Sequence, residues 1–473
     1  MLRLSGTELA ARIRRGELKS RGVVQAHIEQ VQRVNPQLNA MVAQRFEAAL
    51  AEAEAADASP SEAPFHGVPC SIKECFALQG MPWTSGLVRR KGTRADFDAT
   101  AVARYRAAGA IPLGVTNVSE LCMWMESDNF VYGRTRNPYD PDRIVGGSSG
   151  GEGALIGAGG APFGLGSDIG GSIRMPAFFN GVFGHKPSGG LVPGTGQYPM
   201  AEGEARRMLA TGPLCRRAED LMPLLRILAG PDGHDDTLDV ELGDPAQVEL
   251  KGLRVLVVND NGAPPSRELA RAQQRAALHL AGLGARVEQR SFPLLRKSFD
   301  IWSSALGHYN ETPFGVLMGQ GEAINPLREL ALRAVGRSQH TTMASMLALT
   351  EALVEYVPGH RERMLGLGEE LQVQVLEALG GRGVMLFPSF PRTAPRHKWP
   401  VVRQLTLRFD YAYTAILNYL RLPVTQVPLG LDRGGLPLGV QVVAAPLQDH
   451  RAIAVALELE RAFGGWSPPV RWL

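Results

Sequence analysis

The sequence predicts an α/β fold in which helices flank a sheet that forms one core. From about residue 64 onward, short apolar segments alternate with amphipathic segments, which is the pattern of a sheet covered by helices. The 473 residues are enough for a large core, and 44% hydrophobic with 21% charged residues is typical of a globular enzyme. No internal repeat or low-complexity tract interrupts this pattern.

The first sixty residues are predicted to be helical and to pack on that core. Ser5 and Glu8 form a capping box, in which a side chain at the start of a helix accepts a backbone hydrogen bond. The stretch 57–64 is polar and contains prolines, which indicates a linker. The predicted helices cover residues 5–15, 20–36 and 45–56. We therefore expect a helical segment over 1–60 and the α/β core over 61–473.

The core itself is predicted from short apolar strands and the helices between them. The expected strands are 68–72, 111–115, 163–166, 253–258, 286–288, 384–387 and 439–443. The expected helices are 99–108, 152–157, 266–283 and 450–463, with one more beginning at Ser172. Residues 299–380 are expected to form a mostly helical region on the substrate side.

Composition and cysteine content exclude several functional classes. The formal net charge is only +3, and no basic run is interleaved with aromatic residues, so the sequence does not predict nucleic-acid binding. The cysteines form neither a disulfide framework nor a metal-ligand pattern, and they are Cys70, Cys75, Cys122 and Cys215. The histidines form no metal-binding pair either. We therefore expect no metal and no cofactor.

The sequence contains no apolar segment that is typical of a signal peptide or a membrane span. The first eighteen residues mix apolar residues with arginines, as in an amphipathic helix rather than a signal peptide. No apolar run reaches the length of a membrane span. The sequence predicts a cytoplasmic protein without a transmembrane anchor.

Two glycine clusters, each carrying serines, are the strongest local signal. They read GGSSGG over Gly146–Gly151 and GSDIGGSIR over Gly166–Arg174. Glycine at this density lets the backbone approach a bound group closely and leaves N–H groups free to converge on an anion. Ser172 lies directly before a predicted helix, whose first turn favours negative charge. We expect an oxyanion to be held by the N–H groups of Ile169, Gly170, Gly171 and Ser172.

Lys73 provides a candidate base for these serines. It follows the apolar segment Val68–Ile72, which reads as a strand that carries the lysine inward. Burial disfavours the charged form of a lysine, and a neutral amine is a competent general base for a serine hydroxyl. Lys73 is therefore predicted to activate a serine.

The serine clusters allow two other interpretations. Gly146-x-Ser148-x-Gly150 matches the nucleophile elbow of α/β-hydrolases, which would make Ser148 the nucleophile and require a downstream Asp and His. The downstream histidines His185 and His450 do not lie in a recognisable context. The glycine loops could also cradle phosphate, but no GxxxxGK[ST] motif occurs and the serines lie outside a GxGxxG fingerprint. The sequence therefore does not favour a nucleotide-binding module.

Lys73, Ser148 and Ser172, in these sequence contexts, resemble the Lys–Ser–Ser triad of the amidase signature family. The likeness extends over 5–56, 66–199 and 384–466. Four further segments resemble members of the family that act on fatty-acid amides, namely 119–124, 174–181, 183–188 and 422–426. The resemblance implies one α/β domain around a mixed sheet of many strands.

The resemblance also implies a role for each residue of the triad. Lys73 takes a proton from Ser148, which follows a cis peptide bond and takes a proton from Ser172. Ser172 attacks the amide carbonyl and forms an acyl-enzyme. The residues expected to support these groups from behind are Ser149, Asp168 and Arg174. An alternative role for Asp168 is to cap the helix that follows.

The expected activity is hydrolysis of carboxylic acid amides to acid and amine, with an apolar acyl group. The candidate pocket residues are Cys122, Met123, Trp124, Met125, Phe178 and Phe179, for which ordinary core packing is the alternative. Related activities in the family are glutamine hydrolysis within a tRNA-dependent amidotransferase and hydrolysis of aryl amides or carbamates. These stay open as alternatives, as do a homodimer and contact with a membrane surface.

Overall fold

The computed structural model describes residues 1–259, 261–354, 358–397, 411 and 413–472. The strands are β1 (Met41–Gln44), β2 (Val68–Lys73), β3 (Ala110–Thr116), β4 (Asp128–Asn129), β5 (Gly133–Arg134), β6 (Phe163–Asp168), β7 (Phe183–Lys186), β8 (Ala210–Cys215), β9 (Arg254–Val257), β10 (Arg286–Gln289), β11 (Val384–Phe387), β12 (Val424–Leu431) and β13 (Pro437–Ala444).

The helices surround these strands in the sequence. They are α1 (Gly6–Arg14), α2 (Ser20–Leu38), α3 (Phe46–Ala58), α4 (Thr100–Ala107), α5 (Gly150–Gly157), α6 (Arg174–Phe179), α7 (Leu221–Leu228), α8 (Arg267–Gly282), α9 (Ser298–Tyr309), α10 (Phe314–Met318), α11 (Pro326–Ala334), α12 (Thr342–Val354), α13 (His360–Leu379), α14 (413–419) and α15 (Asp449–Phe463).

Within the described chain, eleven strands join into one mixed sheet. Their order is β1-β3-β2-β6-β8-β7-β12-β13-β11-β9-β10. The parallel pairs are β2–β3, β2–β6, β9–β10 and β9–β11, and the other neighbours are antiparallel. The predicted α/β fold, with a mixed multi-stranded sheet flanked by helices, is confirmed.

Both faces of the sheet are buried. In β9, Val255 and Val257 belong to one apolar cluster, and Leu256 between them belongs to another. In β11, Leu386 belongs to the first of these clusters and Met385 belongs to the second. Because successive side chains of a strand point to opposite faces, this division means that helices cover the sheet from both sides.

The N-terminal helices form as the sequence indicates, with one addition. Ser5 Oγ accepts a hydrogen bond from the Glu8 N–H at 2.9 Å, which caps α1. Helix α2 continues past Pro36 to Leu38, because proline removes only one donor in the last turn. Strand β1, which was not predicted, pairs antiparallel with β3. The N-terminal segment thus also supplies an edge strand of the sheet.

Strands β7, β8 and β12 were likewise not predicted, although they lie in the middle of the sheet. Strand β8 reads ATGPLC, and β7 reads FGHK, so glycine and proline mask the strand pattern. Strand β8 pairs with β6 and β7, and strand β7 pairs with β8 and β12. Tertiary pairing therefore overrides a weak local preference.

Helices α9 to α13 account for most of residues 299–380, and no described residue of that region belongs to a strand. None of the described helices combines the length and the apolar character that a membrane span requires.

A buried carboxyl group joins α5 to the sheet. Glu152 of α5 accepts hydrogen bonds from Ser71 Oγ of β2 at 2.6 Å and from Thr116 Oγ1 of β3 at 2.7 Å. Burial raises the pKa of Glu152 to about 7 from an ordinary value of 4.5, although both hydroxyl donors act in the other direction.

This pKa predicts how stability changes with pH. Between pH 4.5 and about 7, the folded protein keeps the Glu152 proton while the unfolded chain loses it, so the free energy of unfolding falls as pH rises. Glu152→Gln removes this contribution, and its urea midpoint should fall less than that of the wild type between roughly pH 5 and pH 8. Glu47→Gln, at an exposed position, should follow the wild type. Equal pH dependence in Glu152→Gln and the wild type would contradict the assignment.

Candidate active site

Two parallel strands bring the candidate catalytic groups to one edge of the sheet. Lys73 is the last residue of β2, and Ser167 and Asp168 end β6, its parallel neighbour. The carboxyl ends of parallel neighbours lie at the same sheet edge, where α/β proteins place their sites. The sheet order therefore explains how residues almost a hundred positions apart come together.

The Lys73 amine lies beside two serine hydroxyls. Its Nζ is 2.7 Å from Ser148 Oγ and 2.9 Å from Ser167 Oγ, and its side chain is fully buried. Among the described residues, no carboxylate forms an ion pair with it. The amine therefore has oxygen partners that can exchange protons with it and no fixed counter-charge.

Ser148 is held in place by a close backbone approach. The Gly147–Ser148 peptide bond is cis, as the family resemblance implies. A Cβ on Gly147 would lie 2.2 Å from the Trp124 carbonyl oxygen, so only glycine fits there. The Ser148 carbonyl accepts a hydrogen bond from Ser127 Oγ at 3.2 Å. These contacts keep the Ser148 hydroxyl on Lys73.

Ser172 lines the same cavity as Ser148. Its side chain is only 2% exposed, and Ser172 Oγ has no hydrogen-bond partner in the described part of the chain. The backbone of Ser149, the neighbour of Ser148, donates to the Ser172 carbonyl at 3.2 Å. Ser149 Oγ also donates to the Ser167 carbonyl at 3.3 Å. Ser149 thus ties the two serine clusters together.

The turn before Ser172 is organised by the Asp168 carboxylate. It accepts hydrogen bonds from the N–H groups of Gly171 at 2.6 Å and Ile173 at 3.0 Å. Three N–H groups of the turn have no acceptor within the described residues, and they are those of Ile169, Gly170 and Ser172. The four donors expected from the sequence are therefore divided, because the Gly171 N–H is directed toward Asp168.

Arg174 neutralises Asp168 inside the protein. Its Nε and Nη2 lie 3.0 Å and 2.9 Å from the two carboxylate oxygens, and both side chains are fully buried. Burial opposes the charge, but Arg174 holds the pKa of Asp168 well below its ordinary value of 3.8. Gln441 and Asn418 accept the remaining hydrogen bonds of Arg174 at 2.9 Å and 2.6 Å. Asp168 thus both caps the turn and pairs with Arg174.

A cavity of about 370 Å³ opens from the serines and is lined mainly by apolar side chains. It reaches into the helical region, where α9, α10 and α12 contribute Phe299, Trp302, Leu306, Leu317 and Leu347. This volume is within the range of pockets that enclose small organic ligands. The described residues contain no cluster of acidic, histidine or cysteine side chains arranged to hold a metal.

The predicted pocket residues divide among three places. Cys122 and Met123 line this cavity. Trp124 and Met125, together with Met123, line a second cavity of about 320 Å³. Phe178 and Phe179 pack together in the core, with ring centroids 5.3 Å apart, and line neither cavity. They follow Ser172 in sequence, but helix α6 turns them away from the cavity.

Several residues of the site were not predicted from the sequence. Ser167 lies within the second glycine cluster, and its position at the end of a predicted strand was a usable signal. Trp302, Thr414 and Asn418 contact the turn from distant helices. No local pattern distinguishes them, because their contacts arise only from the tertiary fold.

Comparisons with known proteins agree with this arrangement. The Amidase family profile matches residues 22–453. The chain is 49% identical to fatty-acid amide hydrolase 2-B of Danio rerio and 45% identical to fatty-acid amide hydrolase 2 of Homo sapiens. Both alignments cover 99% of this chain and 91% of the relative. The solved structure of 6-aminohexanoate cyclic dimer hydrolase with its substrate is similar over the full length of both chains, with a TM-score of 0.82 and 27% identity.

The buried ion pair predicts a large stability effect. Arg174→Met leaves the Asp168 carboxylate buried without its partner, which should lower the free energy of unfolding by roughly 3–5 kcal/mol. Adding Asp168→Asn removes the unpaired charge, so the double variant should be less destabilised than the sum of the two single variants. Urea unfolding followed by circular dichroism measures both quantities. Strictly additive losses would contradict a direct coupling between the two side chains.

Proposed function

The chain belongs to the amidase signature family and hydrolyses amide C–N bonds, and on that premise we propose that Lys73, Ser148 and Ser172 carry the reaction. The observation that carries this proposal is the 2.7 Å contact between buried Lys73 Nζ and Ser148 Oγ, beside a cavity that Ser148 and Ser172 share. Groups at that distance exchange a proton directly. Among the described residues, Ser172 Oγ has no hydrogen-bond partner and lines this cavity beside Ser148, which supports Ser172 as the nucleophile.

The first half of the reaction acylates Ser172. As Ser172 Oγ attacks the amide carbonyl carbon, its proton moves to Ser148 Oγ, and the Ser148 proton moves to Lys73 Nζ. Lys73 acts in its neutral form, because only the neutral amine has a lone pair that accepts a proton. The carbonyl π electrons move to the oxygen and form an oxyanion.

The turn before Ser172 then stabilises that oxyanion. The N–H groups of Ile169, Gly170 and Ser172 have no described acceptor and are available to donate to it. Such preorganised donors are each worth roughly 3–4 kcal/mol of transition-state stabilisation. The Gly171 N–H instead maintains the turn through Asp168.

Protonation of the leaving amine completes this half. An amine leaves poorly unless it is protonated, so the proton held by Lys73 returns through Ser148 to the amide nitrogen as the C–N bond breaks. Water then repeats the cycle on the acyl-enzyme, which releases the carboxylic acid and restores Ser172.

The cavity supports an apolar acyl group on the substrate. Phe299, Trp302 and Leu306 of α9 and Leu317 of α10 form an apolar part of its wall, beside polar residues of α9 such as Asp300. An acyl chain in this cavity would be removed from water along its length, which favours longer chains. The likeness to two fatty-acid amide hydrolases supports the same substrate class.

The triad predicts the effect of three substitutions. Lys73→Ala and Ser172→Ala should each lower kcat for an acyl anilide by roughly 10⁴-fold or more while the protein stays folded. Ser148→Ala should retain a trace of activity, because a water molecule can bridge the relay. Lys251→Ala, at an exposed lysine, is the matched control and should be fully active. Full turnover in Ser172→Ala would refute the mechanism.

Chain length predicts the substrate class. Across acyl anilides from acetyl to oleoyl, kcat/KM should rise with each added methylene, by up to roughly fourfold per step while the chain still fits. Free glutamine, tested beside them, should not be hydrolysed. Met123→Glu would place a charge in the cavity wall and should flatten the rise without affecting acetyl anilide. Activity only on glutamine or on short acyl groups would exclude the apolar-acyl proposal.

A further inference from the structure

In the turn before Ser172, three consecutive backbone carbonyl groups each accept a hydrogen bond from a side chain of α9 or α14. In a trans peptide, the C=O of one residue and the N–H of the next point in opposite directions, so a donor on the carbonyl determines where the next N–H points. The Asp168 carbonyl accepts from Asn418 Nδ2 at 2.8 Å, and the Ile169 carbonyl accepts from Trp302 Nε1 at 2.8 Å. Thr414 Oγ1 lies 2.6 Å from the Gly170 carbonyl.

The three donor side chains differ in the other hydrogen bonds that they form. Asn418 also accepts from Arg174 and donates to the Met208 carbonyl at 2.9 Å. Thr414 Oγ1 also lies 3.0 Å from the Tyr411 carbonyl. The indole of Trp302 has a single N–H, and its acceptor is the Ile169 carbonyl. Trp302 is therefore the donor whose polar contact serves the turn alone.

Packing fixes the indole in this position. Trp302 is 5% exposed, and its ring lies 5.5 Å from the ring of Tyr411 and 5.8 Å from that of Phe299, centroid to centroid. Its Cζ2 would lie 3.0 Å from a Cβ at Gly170, so the ring also closes the space beside that residue. Both rotation of the indole and rotation of the Ile169–Gly170 peptide are thus restricted.

We infer that Trp302 is a positioning residue of the oxyanion site. Its indole N–H holds the Ile169 carbonyl and thereby aims the Gly170 N–H toward the oxyanion. Helix α9, which carries Trp302, also lines the cavity, so an element of the acyl-binding wall maintains the geometry of the reacting centre. This inference rests on the proposed function, because the oxyanion forms on the adduct of Ser172.

The test separates oxyanion binding from acyl-chain binding. Trp302→Phe keeps an aromatic ring and removes the N–H. We expect kcat for decanoyl anilide to fall roughly tenfold, less than for loss of a direct donor. Affinity for a decyl trifluoromethyl ketone, which forms an oxyanion on a serine, should fall by the same factor. Affinity for 1-decanol, a neutral ligand that occupies the cavity and forms no oxyanion, should fall less than affinity for the ketone, because Trp302→Phe keeps an aromatic ring in the cavity wall.

The matched control is Phe299→Leu. Phe299 lines the same cavity and packs on the same indole, so this variant should alter affinity for the ketone and for 1-decanol together. If Trp302→Phe also shifts the two affinities equally, or shifts neither, Trp302 only fills space and the inference is overturned. If Trp302→Phe does not fold, Trp302→benzothienylalanine keeps the ring shape and replaces only the N–H, and the same ratio of affinities applies.

Failure of this inference is distinguishable from failure of the proposed function. Ser172→Ala should lose both turnover and covalent binding of the ketone. Persistence of either in Ser172→Ala would refute the proposed function. An inactive Ser172→Ala with an unchanged ratio of affinities in the Trp302 variants would refute the positioning role alone.

Discussion

The site depends on the buried ion pair between Asp168 and Arg174. The carboxylate has no access to water, so its full hydrogen-bonding capacity is directed to Arg174 and to the backbone of the turn. An ion pair of this kind is costly to bury, and removing one partner costs more than the pair contributes. Its presence at the end of β6 therefore indicates a geometric role, which is to keep the turn closed and to hold together the N–H groups that have no acceptor among the described residues.

This pair also connects the site to the rest of the sheet. Arg174 begins α6, and its guanidinium reaches Gln441 of β13 and Asn418 of α14. Asn418 in turn donates to the Asp168 carbonyl. The turn is thus tied to the C-terminal third of the chain, whereas Lys73 approaches from β2. Mixed parallel and antiparallel pairing allows these distant segments to meet at one edge.

The sequence identified the residues whose local context is distinctive. Lys73, Ser148 and Ser172 stand in a strand end and two glycine clusters. Ser148 and Ser172 line one cavity, and Lys73 Nζ lies 2.7 Å from Ser148 Oγ. Trp302 and Asn418 have no such context, since their roles depend on which helix packs behind the turn. Phe178 and Phe179 were assigned to the pocket from proximity in sequence, but the direction of a side chain on a short helix decides where it packs. The division of the chain near residue 60, the cytoplasmic location and the homodimer stay predictions.

The most direct test of the proposed mechanism is to identify the serine that carries the acyl group. Rapid quenching of the enzyme with decanoyl anilide, followed by proteolysis and mass spectrometry, locates the added decanoyl mass on one peptide. We expect this mass on Ser172, because Ser148 Oγ lies 2.7 Å from Lys73 Nζ and passes protons in the proposed mechanism. A decanoyl group on Ser148 would identify that residue as the nucleophile and refute the proposed mechanism.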